Sequence, residues 1–162
     1  MWSHQFAPDS KATAYLVGVL NSLGFKAKEK TVPASAYWGT IGDRATRAQI
    51  GFADWFQDYP HPLDWFDVLL NGRRISKSFN SNYANFDDPA VNATIEALRR
   101  QPILTAKTNA EWARLDATVM REAPWAPFLN REFTDLFSRR VDLGCYVNHV
   151  VYGFDYALVC VR

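Results

Sequence analysis

Apolar residues at Ala12, Tyr15, Leu16, Val19, Leu20 and Leu23 recur at i, i+3, i+4, i+7, i+8 and i+11, which is one face of an amphipathic helix. Asp9 is placed to cap that helix, and Gly24 to end it in the left-handed conformation. Phe25-Lys26-Ala27-Lys28 then alternates apolar and charged as a strand does, in a run that stops at Pro33. Residues 34–45, carrying Tyr37 and Trp38, predict a short helix or turn. Residues 49–56 are rich in apolar and aromatic side chains between Arg47 and Asp58-Tyr59-Pro60, and predict a buried strand. Residues 63–70 predict a short helix ended by Asn71-Gly72, and the Ser- and Asn-rich stretch 73–86 predicts a loop. Asp88 followed by Pro89 is a helix start, a capping carboxylate before a residue that needs no N–H partner, and Val91, Ile95 and Leu98 share the inward face behind it. Thr108-x-x-Glu111 has the form of a capping box, opening a helix that buries Trp112, Leu115 and Val119 and stops at Pro124. Residues 128–137, 146–152 and 156–161 predict extended segments. Helices alternating with at least four strands, without an internal repeat, predict an α/β fold: a mixed-direction sheet flanked by helices.

A chain of 162 residues can bury roughly 70% of its unfolded surface, and 48% hydrophobic with 22% charged residues is a globular composition. The formal net charge of +1 leaves no basic face for nucleic acid; Arg73-Arg74, Arg99-Arg100 and Arg139-Arg140 are scattered pairs that suit solvated surfaces. No apolar run approaches the ~20 residues that span a bilayer, and Met1-Trp2-Ser3-His4-Gln5 has neither the basic start nor the apolar core of an export signal. Aromatic content is high, at 15%, which suits a ligand cleft, a large interface or an aromatic core.

Catalytic chemistry finds little purchase. His4, His61 and His149 have no ligand-spaced partners, so no metal is expected. Cys145 and His149 lack a third group to orient a thiolate–imidazole pair. No Gly-rich phosphate loop and no G-x-S-x-G elbow is present. The expectation is a protein that is not an enzyme and uses no cofactor. Among the carboxylates, Asp54 and Asp58 would stand more than about 12 Å apart on extended chain, too far to share a substrate, and Asp64 with Asp67 is the other candidate pair. Asp58 is more informative alone. It follows an aromatic run and precedes the rigid turn Tyr59-Pro60-His61-Pro62, where ligands bind beyond strand ends in α/β folds. Beside Trp55 and Tyr59 it could hold an ammonium group by charge-assisted hydrogen bonds; equally, a turn aspartate can bond its own backbone. Cys145 and Cys160 would pair in an exported protein and stay buried thiols in a cytosolic one.

The stretch Ala48-Gln49-Ile50-Gly51-Phe52-Ala53-Asp54-Trp55-Phe56-Gln57-Asp58-Tyr59-Pro60-His61-Pro62 resembles the Trp-x-x-Asp-Tyr-x-x-Pro segment of the family 5 extracellular solute-binding proteins, the peptide-type receptors of ABC importers. The helix ending at Leu23-Gly24-Phe25, Asn82-Tyr83, Phe86-Asp87-Asp88-Pro89, Arg114, Glu122-Ala123-Pro124-Trp125-Ala126-Pro127-Phe128 and Gly153-Phe154-Asp155 look like other landmarks of that family, in the right order. The resemblance implies the C-terminal lobe of a two-lobed, periplasmic-binding-protein-like fold: residues 1–162 form one lobe, with 139–162 as a tail returning toward a first lobe. That lobe and any export signal would lie upstream of the matched region. It implies a periplasmic or extracellular receptor, lipid-anchored in some parents, that hands a small peptide or other solute to ABC permease subunits. A lone lobe would bind weakly or not at all, and would be prone to self-association. Asp58 matches the aspartate that pairs with the peptide α-ammonium in dipeptide- and oligopeptide-binding members, and Trp55 an aromatic lining the cleft. The basic residues that hold the peptide carboxylate have no clear counterpart; Phe52 stands where one such arginine would fall. The cargo therefore stays open among peptides, nickel complexes, sugars and other solutes. The rival expectation is an aromatic-faced protein-interaction domain without a small ligand.

Overall fold

The computed structural model describes all of the chain except Phe128, Arg131, Phe133 and Tyr152, together with the side chains of Phe154 and Tyr156. The fold is α/β, with strands running in both directions. The strands form three two-stranded pairs rather than one continuous sheet. β1 (Trp2–His4) leads into α1 (Asp9–Ser22) and back to β2 (Lys30–Val32), which pairs parallel to β1 with Trp2 opposite Lys30. On the other side of β1 a single parallel bridge joins Trp2 to Gly51. There the Trp2 N–H donates to Ile50 O at 2.7 Å and the Phe52 N–H to Trp2 O at 3.2 Å.

The predicted strand over 49–56 is reduced to this bridge. Past Phe52 the chain makes no further strand pairing among the described residues; Trp55 packs against the core while Phe56 stays exposed. The strand predicted over 25–28 appears instead at 30–32. The Asn21 side chain accepts from the Ala27 N–H at 2.7 Å and donates to Ala27 O at 3.2 Å, occupying both backbone groups that a ladder would use.

Asp9 does not cap α1. Pro8 is the N-cap, without a side-chain bond, and Asp9 lies inside the first turn, buried, with Oδ2 3.1 Å from His4 Nε2. Gly24 does end the helix region with a positive φ of 92°. The expected apolar face of α1 is only partly used, for Tyr15 and Leu23 remain exposed.

α2 (Ala34–Ile41) buries Tyr37 and Ile41 against Trp2. The Tyr37 hydroxyl donates to Phe52 O at 2.6 Å and lies 3.1 Å from Trp2 O, and burial is the main reason its pKa is pushed well up. The main core lies where α3 (Leu63–Leu69), α4 (Pro89–Arg99) and α5 (Ala106–Glu122) meet. Phe66, Leu69, Val91, Ile95, Leu98, Trp112, Leu115 and Val119 are all buried there.

α4 begins as its sequence predicts, with the Asp88 carboxylate accepting from the Val91 N–H at 2.7 Å and Pro89 in the first turn. Asp88→Ala should cost about 1 kcal/mol, read as a lower urea midpoint with an unchanged slope. An unchanged midpoint would mean that water replaces the cap. α5 starts one turn earlier than Thr108-x-x-Glu111 suggests. Thr105 is the N-cap: its hydroxyl accepts from the Thr108 N–H, and Thr108 returns the bond to the Thr105 N–H at 2.8 Å. Ala123, left-handed at φ 49°, closes α5 just before Pro124.

The polar stretch between α3 and α4 is a loop, but a fixed one. Asn82 clamps both backbone groups of Phe86, Asn92 accepts from the Gly72 N–H at 2.7 Å, and a Cβ at Gly72 would collide with the Asp87 carboxylate.

The tail holds the antiparallel pairs β3 (Val141–Asp142) with β6 (Cys160–Val161) and β4 (Asn148–His149) with β5 (Gly153–Phe154). Cys145 and Cys160 form a disulfide with Cα atoms 5.7 Å apart. In the predicted extended segment 128–137, Phe128, Arg131 and Phe133 lie outside the described residues, as does Tyr152 at the end of 146–152. The described remainder of 128–137 carries no strand, and the start of 156–161 is a 3₁₀ turn.

Candidate functional site

The segment that carries Trp55, Asp58 and Tyr59 is bolted at both ends. At its start Phe52 is buried, its N–H on β1 and its carbonyl on the Tyr37 hydroxyl. At its end the chain reverses over Tyr59–Pro62, where the His61 N–H donates to Tyr59 O at 2.8 Å and the Leu63 N–H to His61 Nδ1 at 3.1 Å. Two prolines and these short-range bonds launch α3.

Within this span the three residues expected to meet a ligand lie together but face differently. Trp55 is half-buried and packs against the α3–α4–α5 core. Its indole N–H donates inward to Asp64 Oδ2 at 3.2 Å. Asp58 is exposed; its backbone N–H donates to the same oxygen at 2.9 Å, while its own carboxylate makes no hydrogen bond or ion pair among the described residues. Tyr59 is 43% exposed, and its phenol is pushed above its ordinary pKa first by burial and then by the charges of Asp64, Asp67 and Asp58. The aspartate that bonds backbone at this turn is thus Asp64, not Asp58.

Asp64 and Asp67 have separate partners. Asp67 takes Arg74 in a two-pronged pair at 3.1 and 2.8 Å and the Asn71 amide at 2.7 Å. Burial acts to raise its pKa, but the bonds from Arg74 and Asn71 outweigh it and hold the carboxyl below the usual range. Asp64 was not expected to matter to the loop. Nothing local in the sequence marks it, because its two donors come from residues six and nine positions earlier.

The remaining candidates do not converge. His4 bridges β1 and α1, His61 stands edge-on to Trp112 with ring centroids 6.0 Å apart, and the Val151 N–H donates to His149 Nδ1. Among the described residues no group of three or more His, Cys, Asp or Glu could hold a metal ion. Cys145 is consumed by its disulfide, which removes the thiol nucleophile. A hollow of about 610 Å³ runs between α4 and α5, past Ala90, Ala97 and Arg114, and one of about 370 Å³ lies beside α2 at Thr40, Asp43 and Phe79. Neither includes the 55–59 loop, which lies on open surface. No helix among the described residues is long and apolar enough to cross a membrane.

No known family's sequence profile matches this chain, and no curated relative does. Among solved structures it is similar to the clavulanic acid biosynthesis oligopeptide binding protein 2, at 23% identity and a TM-score of 0.63, over 76% of this chain and 24% of that one. It is likewise similar to the ABC transporter-associated periplasmic binding protein DppA from Helicobacter pylori in complex with the peptide STSA, at 16% identity and a TM-score of 0.65, over 76% of this chain and 23% of that one. The shared feature is the fold of part of those two proteins. The chain spans about a quarter of the length of each.

Proposed function

We propose that residues 1–162 are one lobe of an ABC-importer solute receptor of the family 5, peptide type, with 139–162 as the tail that returns toward the other lobe. In this reading the protein binds and does not catalyse. The observation that carries it is the exposed carboxylate of Asp58 between Trp55 and Tyr59, without a partner among the described residues, on a fold shared with two peptide-binding proteins. An ammonium group would neutralise Asp58 through charge-assisted hydrogen bonds, while the edges of Trp55 and Tyr59 supply apolar contact. The second lobe would close over this open surface by hinge bending and present the closed form to permease subunits. The Cys145–Cys160 disulfide fits an oxidising compartment such as the periplasm or the outer face of a cell.

Half a cleft binds poorly. Titration of the 162-residue chain with the peptide Ser-Thr-Ser-Ala, followed by amide shifts, should give a dissociation constant of a millimolar or more, centred on Asp58 and Tyr59. N-acetylation of the peptide, or Asp58→Asn, should abolish the response. Submillimolar affinity would overturn the half-cleft reading, and an equal response to the acetylated peptide would overturn the ammonium anchor.

A second reading, a protein-interaction face, is favoured by the exposure of Phe56, Tyr59 and Trp65 near the same loop. In the receptor reading those residues meet the other lobe, and in its absence they drive self-association.

A further inference from the structure

Asp64 is fully buried, and a carboxylate removed from water costs several kcal/mol unless the protein returns comparable interactions. Its partners are unusual in their economy. The Asp58 N–H at 2.9 Å and the Trp55 indole N–H at 3.2 Å both donate to Oδ2, while Oδ1 has no partner among the described residues. No cation pairs with Asp64 there either, in contrast to Asp67 with its Arg74. A buried charge kept without a counter-ion, and used through a single oxygen, is poorly explained as a contribution to stability alone.

We infer that Asp64 is a positioning residue for the ligand loop: one buried carboxylate oxygen ties the Trp55 indole and the Asp58 amide to the head of α3, leaving the Asp58 carboxylate outward and unpaired. Its part in ligand capture rests on the receptor reading above. The tie fixes two points three residues apart, so the short run between them has little freedom to turn Asp58 inward. It also adds a second, uncompensated negative charge behind Asp58, which favours a cationic ligand group at the surface. Tyr59, flanking Asp58, already senses that charge in its raised pKa.

Amide and indole hydrogen exchange on the full 162-residue chain tests the tie directly. Asp64→Ala removes the acceptor that both donors share and should speed exchange of the Asp58 amide and the Trp55 indole by about tenfold or more, with the Ile95 and Val119 amides unchanged. Asp64→Asn keeps one carbonyl oxygen able to accept both bonds. It should hold exchange within about threefold of wild type, and loss of the negative charge should lower the pH at which Tyr59 ionises, so the variant separates the hydrogen-bond tie from the charge. Wild-type exchange in Asp64→Ala overturns the inference, as does Asp64→Asn exchanging at about the tenfold-increased rate. If Asp64→Ala does not fold, Asp64→Asn decides: slow exchange with an earlier Tyr59 titration supports the tie, and lost protection overturns it. Ser-Thr-Ser-Ala separates this inference from the receptor reading. A wild type that ignores the peptide while Asp64→Ala frees the loop retains the tie and removes the ligand. A peptide response at Asp58 that Asp64→Ala leaves unchanged removes the tie and retains the ligand.

Discussion

Trp112→Ala should lower the stability of this protein by about 3–5 kcal/mol, a large share of the 5–15 kcal/mol typical of a folded domain. Trp112 lies on α5, only 3% exposed, and its ring meets Phe66 of α3 with centroids 5.2 Å apart. Its indole nitrogen has no hydrogen-bond partner among the described residues, so truncation breaks no polar contact. The cost is lost packing plus a cavity at the point where three helices converge. That cavity opens beneath the candidate site, because His61 stands edge-on to the same ring and belongs to the turn that follows Asp58. Urea unfolding followed by circular dichroism measures the loss, and the Asp58 and Tyr59 amides should gain exchange along with it. A loss below about 2 kcal/mol would mean that neighbouring side chains collapse into the space and that the helices do not depend on this ring.

The helical core was legible because its signals are local. Asp88-Pro89 caps α4, and Val91, Ile95 and Leu98, like Trp112, Leu115 and Val119, recur at helical spacing and are all buried. The capping pair of α5 was displaced by one turn because two threonines can satisfy each other's backbone without a glutamate. Strands were harder. Residues 49–56 are as apolar as a buried strand, yet Phe52 is used by Tyr37 and β1 while Trp55 is used by α3 and Asp64, two tertiary contacts that a period of two cannot encode. Asp9 at a helix start looks like a cap, but Pro8 takes the N-cap position and Asp9 stands beside His4 of β1 instead. At the site, Trp55, Asp58 and Tyr59 were readable together because they are neighbours in sequence. Asp64 was not, since its role exists only once the chain has reversed through two prolines. The disulfide was open for a related reason: the spacing of 15 permits it, but the pairing of β3 with β6 brings the cysteines together.

Reduction of that disulfide, or Cys145→Ser with Cys160→Ser, should release the tail while leaving the helical core intact. A link closing about 15 residues is worth about 3 kcal/mol in the chain-entropy view. The ladder between β3 and β6 is two residues long, Val141 opposite Val161 and Asp142 opposite Cys160. The Arg162–Asp142 pair at 3.1 Å is exposed and screened by solvent, so it adds little. Two-stranded pairs of this size do not hold alone in water. Hydrogen exchange should therefore show protection at the Arg162 amide, which donates across the pair to Arg140 O at 2.8 Å, lost in the double serine variant, with α4 and α5 unchanged, and reductant should reproduce this in wild type but add nothing to the variant. The consequence reaches the 55–59 loop, because Gln57, next to Asp58, donates to Val150 O at 3.3 Å. The disulfide confines Val150 to a closed loop and so keeps the tail against this loop, and its loss should free the Gln57 side-chain amide as well. If the Arg162 amide keeps its protection after reduction, strand pairing rather than the covalent link holds the tail, and the 55–59 loop would then be indifferent to the redox state of its surroundings.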